Sequence, residues 1–343
     1  MAALCQGPPP HPDLPVDAAA KAAAIHTLFT ALKESYVFPE VATKMEASIL
    51  ERQKRGDYEP ITSSREFAAK LTDHLQEISH DKHLRVNYSY RPIPERGPHG
   101  PPPPEEMESQ RRQAQFNNYG FEKIERLRGN VGYVDFRAFL PPEVGADTAI
   151  AAMNFLAGTD AIIFDVRGNG GGHPAMVALI TSFLFDAEPV HLNSLYWRPS
   201  DSTHQWWTLP YVPGKRSPKK PVYVLTSRRT FSAAEEFTYN LKNLKRATIV
   251  GETTGGGAHP GGFRRLGEHF GAFLPSGRAI NPISKTNWEG TGVEPDIKAE
   301  ADQALKVAHQ HAVAKLAESE KDRDLKTRLD EIATRLKKEL EAK

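Results

Sequence analysis

The sequence predicts an α/β protein, on three observations. Beyond Asn130, short apolar runs alternate with helix-length segments; before residue 90, apolar residues recur at helical steps; beyond Asp296, the chain becomes helical and charged again. Repeated strand-then-helix units imply a layered α/β core, here with helices on either side of it in sequence. At 343 residues the chain can hold a sizeable core and is expected to form two domains. A net charge of +1 points to neither nucleic acid nor an anionic membrane surface as partner. The single cysteine, Cys5, excludes an internal disulfide framework, and no apolar run approaches the roughly 20 residues that span a bilayer.

Residues 1–15 are rich in proline and read as disordered or as the remnant of a leader. Residues 16–90 read as a helical domain. Asp17 can cap a helix bearing Ile25, Leu28, Phe29 and Leu32, and Pro39 suits the first turn of a helix bearing Val41, Met45 and Ile49. Ser63 or Ser64 opens a third helix with Phe67, Leu71, Leu75 and Ile78, followed by a turn and a strand over 84–88. Residues 91–128 carry proline, charge and glutamine with little apolar material, which reads as a linker.

The core is placed at 129–300. Strands are expected over 131–136, 161–166, 190–197, 222–226 and 248–250, and helices over 142–156, 176–185 and 232–244. Residues 301–343 read as C-terminal helices. Leu325, Leu329, Ile332, Leu336 and Leu340 form a narrow apolar stripe, which packs on the protein's own body or serves self-association into a homo-oligomer.

Ser232 is the most informative residue. It follows a strand and a tight turn and opens a helix, where unpaired N–H groups and the helix dipole favour negative charge. Ser232-Ala233-Ala234-Glu235 is equally a capping box, and taken alone that is the commoner meaning. Two glycine-rich turns flank it: Asp165-Val166-Arg167-Gly168-Asn169-Gly170-Gly171-Gly172 and Gly251-Glu252-Thr253-Thr254-Gly255-Gly256-Gly257-Ala258-His259. Neither suits a nucleotide, because His173 stands where a dinucleotide fingerprint needs its third glycine and no P-loop lysine follows.

These three motifs in order resemble the tail-specific (C-terminal-processing) serine peptidases, and within them the branch of the tricorn core and the repeats of interphotoreceptor retinoid-binding protein. The 34–40 and 79–86 segments are similar to that retinoid-binding branch, so the resemblance covers about residues 20–300. It implies a crotonase- or Clp-protease-like ββα superhelix. The family often carries a PDZ domain near residue 91, but about 40 residues separate Tyr90 from Gly129, too few to hold one. Many relatives are exported, so export with a trimmed signal peptide is the expectation for the 1–10 segment, against a native cytosolic start.

A serine needs a base. The family lysine lies about two dozen residues beyond the serine, but the 251–262 turn contains none. By resemblance to the tricorn arrangement, His83 is the expected base and Glu289 its orienting carboxylate; His259, in the turn itself, is the competing base. Ala233 and either Gly170 or Gly171 are the expected oxyanion donors, while Arg167 and Asn169 hold the loop and Asp165 is structural. His80 and His83 lack companions with ligand spacing, so neither metal nor other cofactor is expected. The resulting reading is a serine endopeptidase acting on polypeptide through an acyl-enzyme. The rival is an inactive scaffold binding a retinoid, a fatty acid or another hydrophobic small molecule, with Trp197, Trp206, Trp207, Phe183 and Phe185 as candidate lining.

Overall fold

The computed structural model describes residues 11–95 and 103–342. It divides into two compact units, each discontinuous in sequence. The first contains residues 11–95 with Tyr196–Ser202 and His259–Arg278; the second contains residues 103–195, Thr203–Ala258 and residues 279–342. Residues 259–278, which lie in sequence within the expected 129–300 core, belong to the first unit.

In the first unit, α1 (Ala18–Ser35), α2 (Pro39–Lys54) and α3 (Ser64–Ser79) pack with a three-stranded antiparallel sheet, β1 (Arg85–Tyr88), β10 (Phe270–Pro275) and β9 (Gly261–Arg265). The helix starts are those the sequence marks. Asp17 accepts from the Ala20 N–H at 2.7 Å, Ser63 accepts from the Glu66 N–H at 2.9 Å, and Pro39 occupies the first turn of α2. The stripes Ile25, Leu28, Leu32, then Met45, Ile49, then Phe67, Leu71, Leu75 meet Leu84, Val86, Phe270, Ala272 and Leu274 from the strands. Disorder over 1–15 is corrected for its last five residues. The Leu14 N–H donates to the Tyr88 hydroxyl, that hydroxyl donates to the Pro12 carbonyl, and Ser63 Oγ donates to Asp13. The proposed leader, residues 1–10, lies outside the described residues.

The second unit is a layered α/β structure. Its main sheet has the order β12-β8-β7-β4-β3-β2, formed by Phe121–Leu127 (β2), Val131–Phe136 (β3), Ala161–Asp165 (β4), Val222–Thr226 (β7), Thr248–Gly251 (β8) and Ile297–Lys298 (β12). All neighbouring pairs are parallel except β2 with β3. Each crossover steps to the next strand in one direction, so right-handed connections place their helices on one face. That face holds α5 (Pro142–Leu156), α6 (Pro174–Ser182) and α7 (Ala233–Asn243), packed on Val134, Ile162, Phe164, Val224 and Ile249.

The alternate residues Val131, Tyr133, Ile163, Tyr223 and Leu225 point to the opposite face. Helices α8 (Ala304–Ser319) and α9 (Arg323–Glu341) cover it, with Ala304, Ala308 and Ala312 allowing close approach. The apolar stripe of α9 is thus used internally through Leu329 and Leu336, whereas Leu325 is 45% exposed. β5 (His191–Trp197) pairs with β11 (Gly277–Ile280) on one side and with β6 (Ser202–Trp207) on the other. The linker expected over 91–128 is corrected in part, because it includes β2 and α4 (Pro104–Phe116), a helix that buries no residue. Among the described residues, no helix is long and apolar enough to cross a membrane.

Leu329→Ala is expected to lower unfolding free energy by about 2–3 kcal/mol in urea titrations, because it opens space under α9. Leu325→Ala should change it by less than about 0.5 kcal/mol.

Candidate functional site

Parallel strands β4, β7 and β8 are neighbours, so the three motif-bearing loops at their C-terminal ends lie side by side, where open α/β sheets place ligands. The loops are also tied together. Thr230 Oγ1 donates to the Val166 carbonyl, Ser227 Oγ to the Arg167 carbonyl, and the Phe231 N–H to the Asn169 carbonyl. Asp165 accepts from the Arg167 guanidinium and from the Tyr133 hydroxyl, which holds the end of β4.

Ser232 sits at the N-cap of α7 with φ +57° and ψ −123°. A non-glycine residue there is strained, and such strain at a strand–turn–helix corner is how a nucleophile elbow presents its hydroxyl. Ser232 is partly exposed. Beside it, the Ala233 N–H meets no acceptor among the described residues. Gly171 makes room for both, since a Cβ on it would come within 2.7 Å of Ser232 Cβ and 2.9 Å of the Ala233 nitrogen. The amides of the two glycines are already engaged. The Gly171 N–H donates to Asn169 Oδ1 at 2.9 Å, and the Gly170 N–H makes a longer 3.3 Å bond to the Arg137 carbonyl.

Glu235, expected only as the fourth residue of a capping box, does more. Its carboxylate accepts from the Ser232 N–H at 2.9 Å, from Thr254 Oγ1 at 2.5 Å, and from the Gly256 and Gly257 N–H groups at 2.6 and 2.9 Å. It is fully buried; burial pushes its pKa upward, and the four donors oppose that rise. The next residue, Glu236, is also buried and faces Asn193 and Asn240. Burial pushes its carboxyl up to about 7, against the two amides, which favour the anion.

The first unit contains a different constellation. His259 Nδ1 and Asp81 Oδ2 are 2.8 Å apart, with both side chains buried. Tyr36 donates its hydroxyl to the same carboxylate oxygen at 3.3 Å, and the ring of Phe38 meets the imidazole edge-on at 5.3 Å. Asp81 Oδ1 accepts the His83 backbone N–H. The His83 ring lies against Phe273, and burial lowers its pKa to about 4, with His259 and Arg85 adding to the drop and Asp81 opposing it. Asp81 was missed as a site residue, although it opens the Asp81-Lys82-His83 segment that drew attention to His83. Glu289, in the second unit, accepts the Ala258 N–H at 2.5 Å, and the neighbouring Trp288 indole donates to the Gly257 carbonyl at 2.7 Å. It thus fixes the turn that leads into His259.

The aromatic set expected to line one cleft separates. Phe183 is buried in the core and Phe185 packs against the same cluster, while Trp197 lies against Gly277 in the first unit. Trp206 and Trp207 line a groove.

The model of peptidase family S41 matches residues 130–299, and that of the N-terminal domain of Peptidase_S41 in eukaryotic IRBP matches residues 18–118. The chain belongs to peptidase family S41. Over 140 residues it is 29% identical to Putative tricorn protease homolog 2 of Streptomyces coelicolor, covering 40% of this chain but 11% of that protein. The chain therefore spans a small part of that relative's length. Three solved structures share the fold. A putative peptidase from Parabacteroides merdae has TM-score 0.60 at 18% identity, covering 86% of this chain and 97% of that one. A lipoprotein from Streptococcus agalactiae has TM-score 0.57 at 12% identity, covering 91% and 99%. The tricorn protease has TM-score 0.53 at 13% identity, covering 92% of this chain and 37% of its own.

Glu236 supplies a pH test. Its folded pKa of about 7 exceeds the ordinary 4.5, so the folded state holds the proton more tightly. The contribution of Glu236 to stability should fall as pH rises from 4.5 to 7 and level off above that. Glu236→Gln should narrow the difference in unfolding free energy between pH 5 and pH 8 by up to about 3 kcal/mol in paired denaturant titrations. Identical pH profiles for the two proteins would contradict the assignment.

Proposed function

We propose that this chain is a serine peptidase that cleaves polypeptide through an acyl-enzyme on Ser232, with His259 as general base and Asp81 as its orienting carboxylate. The observation that carries this reading is Ser232 itself, a strained N-cap serine next to an unengaged helix amide and a glycine that clears the approach to both. Support for His259 comes from its buried bond to Asp81, since an ionised carboxylate only accepts and so holds the proton on Nδ1 and fixes the orientation of the ring. His83, the base implied by resemblance, is lowered to about 4 and matches neutral-pH catalysis poorly. Glu289 is given the turn before His259 to hold.

In this mechanism His259 takes the Ser232 proton as Oγ attacks the scissile carbonyl carbon. The carbonyl electron pair moves onto oxygen, where the Ala233 N–H stabilises it, with the weakly held Gly170 N–H as second donor. Collapse breaks the C–N bond, and His259 delivers the proton to the leaving amine. Water then repeats the sequence on the ester and releases Ser232. The same reading takes the core as a crotonase- or Clp-protease-like ββα superhelix, supported by the stepwise parallel order of β3, β4, β7 and β8.

A fluorophosphonate probe near pH 8 should label the parent protein at Ser232 and leave S232A unlabelled. His259→Ala should lower peptide hydrolysis by roughly 10³-fold or more, and His83→Ala by less than tenfold. Loss of labelling in His83→Ala with retention in His259→Ala would transfer the base to His83. No labelling and no cleavage by the folded parent would end the peptidase reading.

A further inference from the structure

We infer that the groove between β6 and α6 is the substrate-selecting subsite of this peptidase and takes an aliphatic or aromatic side chain of an extended polypeptide. This deepens the peptidase reading and rests on it. The groove has a volume of about 570 Å³ and carries no charged residue in its lining, which includes Pro142, Ala175, Leu179, Trp206, Trp207 and Leu209. Trp207 and Leu209 are 42% and 40% exposed, so large apolar surface faces solvent here. Trp207 is braced by His191, whose ring stacks on it at 4.5 Å and 10°, which makes the wall rigid.

Two features select an extended chain as occupant. First, among the described residues β6 pairs with β5 on one side and ends the sheet on the other, and Thr203, His204 and Gln205 are exposed along it. An unpaired strand edge offers alternating N–H and C=O groups to another extended segment, with side-chain pockets beside it supplying selectivity. Second, a short stretch of chain links the groove to the Ser232 corner. Gly171, in contact distance of Ser232, leads through Gly172 to His173, the N-cap of α6, whose ring meets Trp206 edge-on at 6.0 Å. Ala175, two residues further on, already lines the groove. The four steps from Gly171 to Ala175 reach at most about 14 Å, so a bound strand passes from the scissile bond into the groove within about four residues.

The test is cleavage-site profiling on a peptide mixture by mass spectrometry, paired with fluorescence-anisotropy binding of labelled peptides to S232A. The parent should enrich apolar residues at one position within four residues of the cut. Leu209→Arg should reduce that enrichment at least tenfold and bring acidic residues to the same position, while fluorophosphonate labelling of Ser232 stays intact. Trp207→Ala should weaken binding of an apolar peptide to S232A without the acidic switch. Cleavage with an unchanged profile in both variants overturns the subsite and leaves the peptidase reading standing. Binding to S232A that Leu209→Arg redirects, with no cleavage by the parent, keeps the subsite as a peptide groove and removes the peptidase reading. Neither cleavage nor binding removes both.

Discussion

The buried carboxylate of Glu235 is the interaction on which the arrangement around Ser232 depends. It gathers the first amide of the serine corner and three donors of the 253–257 turn onto one anion. A carboxylate shut away from water is tolerated only when its lone pairs are satisfied, and removing it would leave several buried donors orphaned together. The carboxylate therefore specifies how the loop after β8 lies against the start of α7. With the loops after β4 and β7 joined by Thr230, Ser227 and Asn169, all three motifs are held as one body. The positive φ of Ser232 persists because its surroundings over-determine it.

The stepwise parallel sheet explains why the C-terminal helices exist. Crossovers that always advance in one direction load α5, α6 and α7 onto one face and leave the other apolar face open. The alanine face of α8 and the leucine stripe of α9 close it. A heavily charged terminal helix is consequently part of the core and not an appendage.

Much of this was legible from residues alone. Val131–Phe136, Pro142–Leu156 and Val222–Thr226 fall where apolar runs and a helix-starting proline place them. The caps at Asp17 and Ser63 are local chemistry, each made within three residues. What escaped notice had weak local signal. β9 and β10 are short and glycine-containing; they pair with each other, and β10 pairs with β1, nearly two hundred residues earlier in the chain. α4 buries nothing, so it carries no apolar periodicity to detect.

The site divides along the same line. The sequence by itself determined the fold class, the serine at a helix start, the glycine-rich turns and the missing lysine, because each is a pattern of neighbouring residues. Only the tertiary structure decided which carboxylate meets which imidazole, since Asp81 and His259 lie 178 positions apart. It likewise decided that Glu235 receives the glycine-rich turn and that Glu289 receives the Ala258 amide. Side-chain pairing over such separations is set by strand order and burial, and neither is written in any local stretch of the chain.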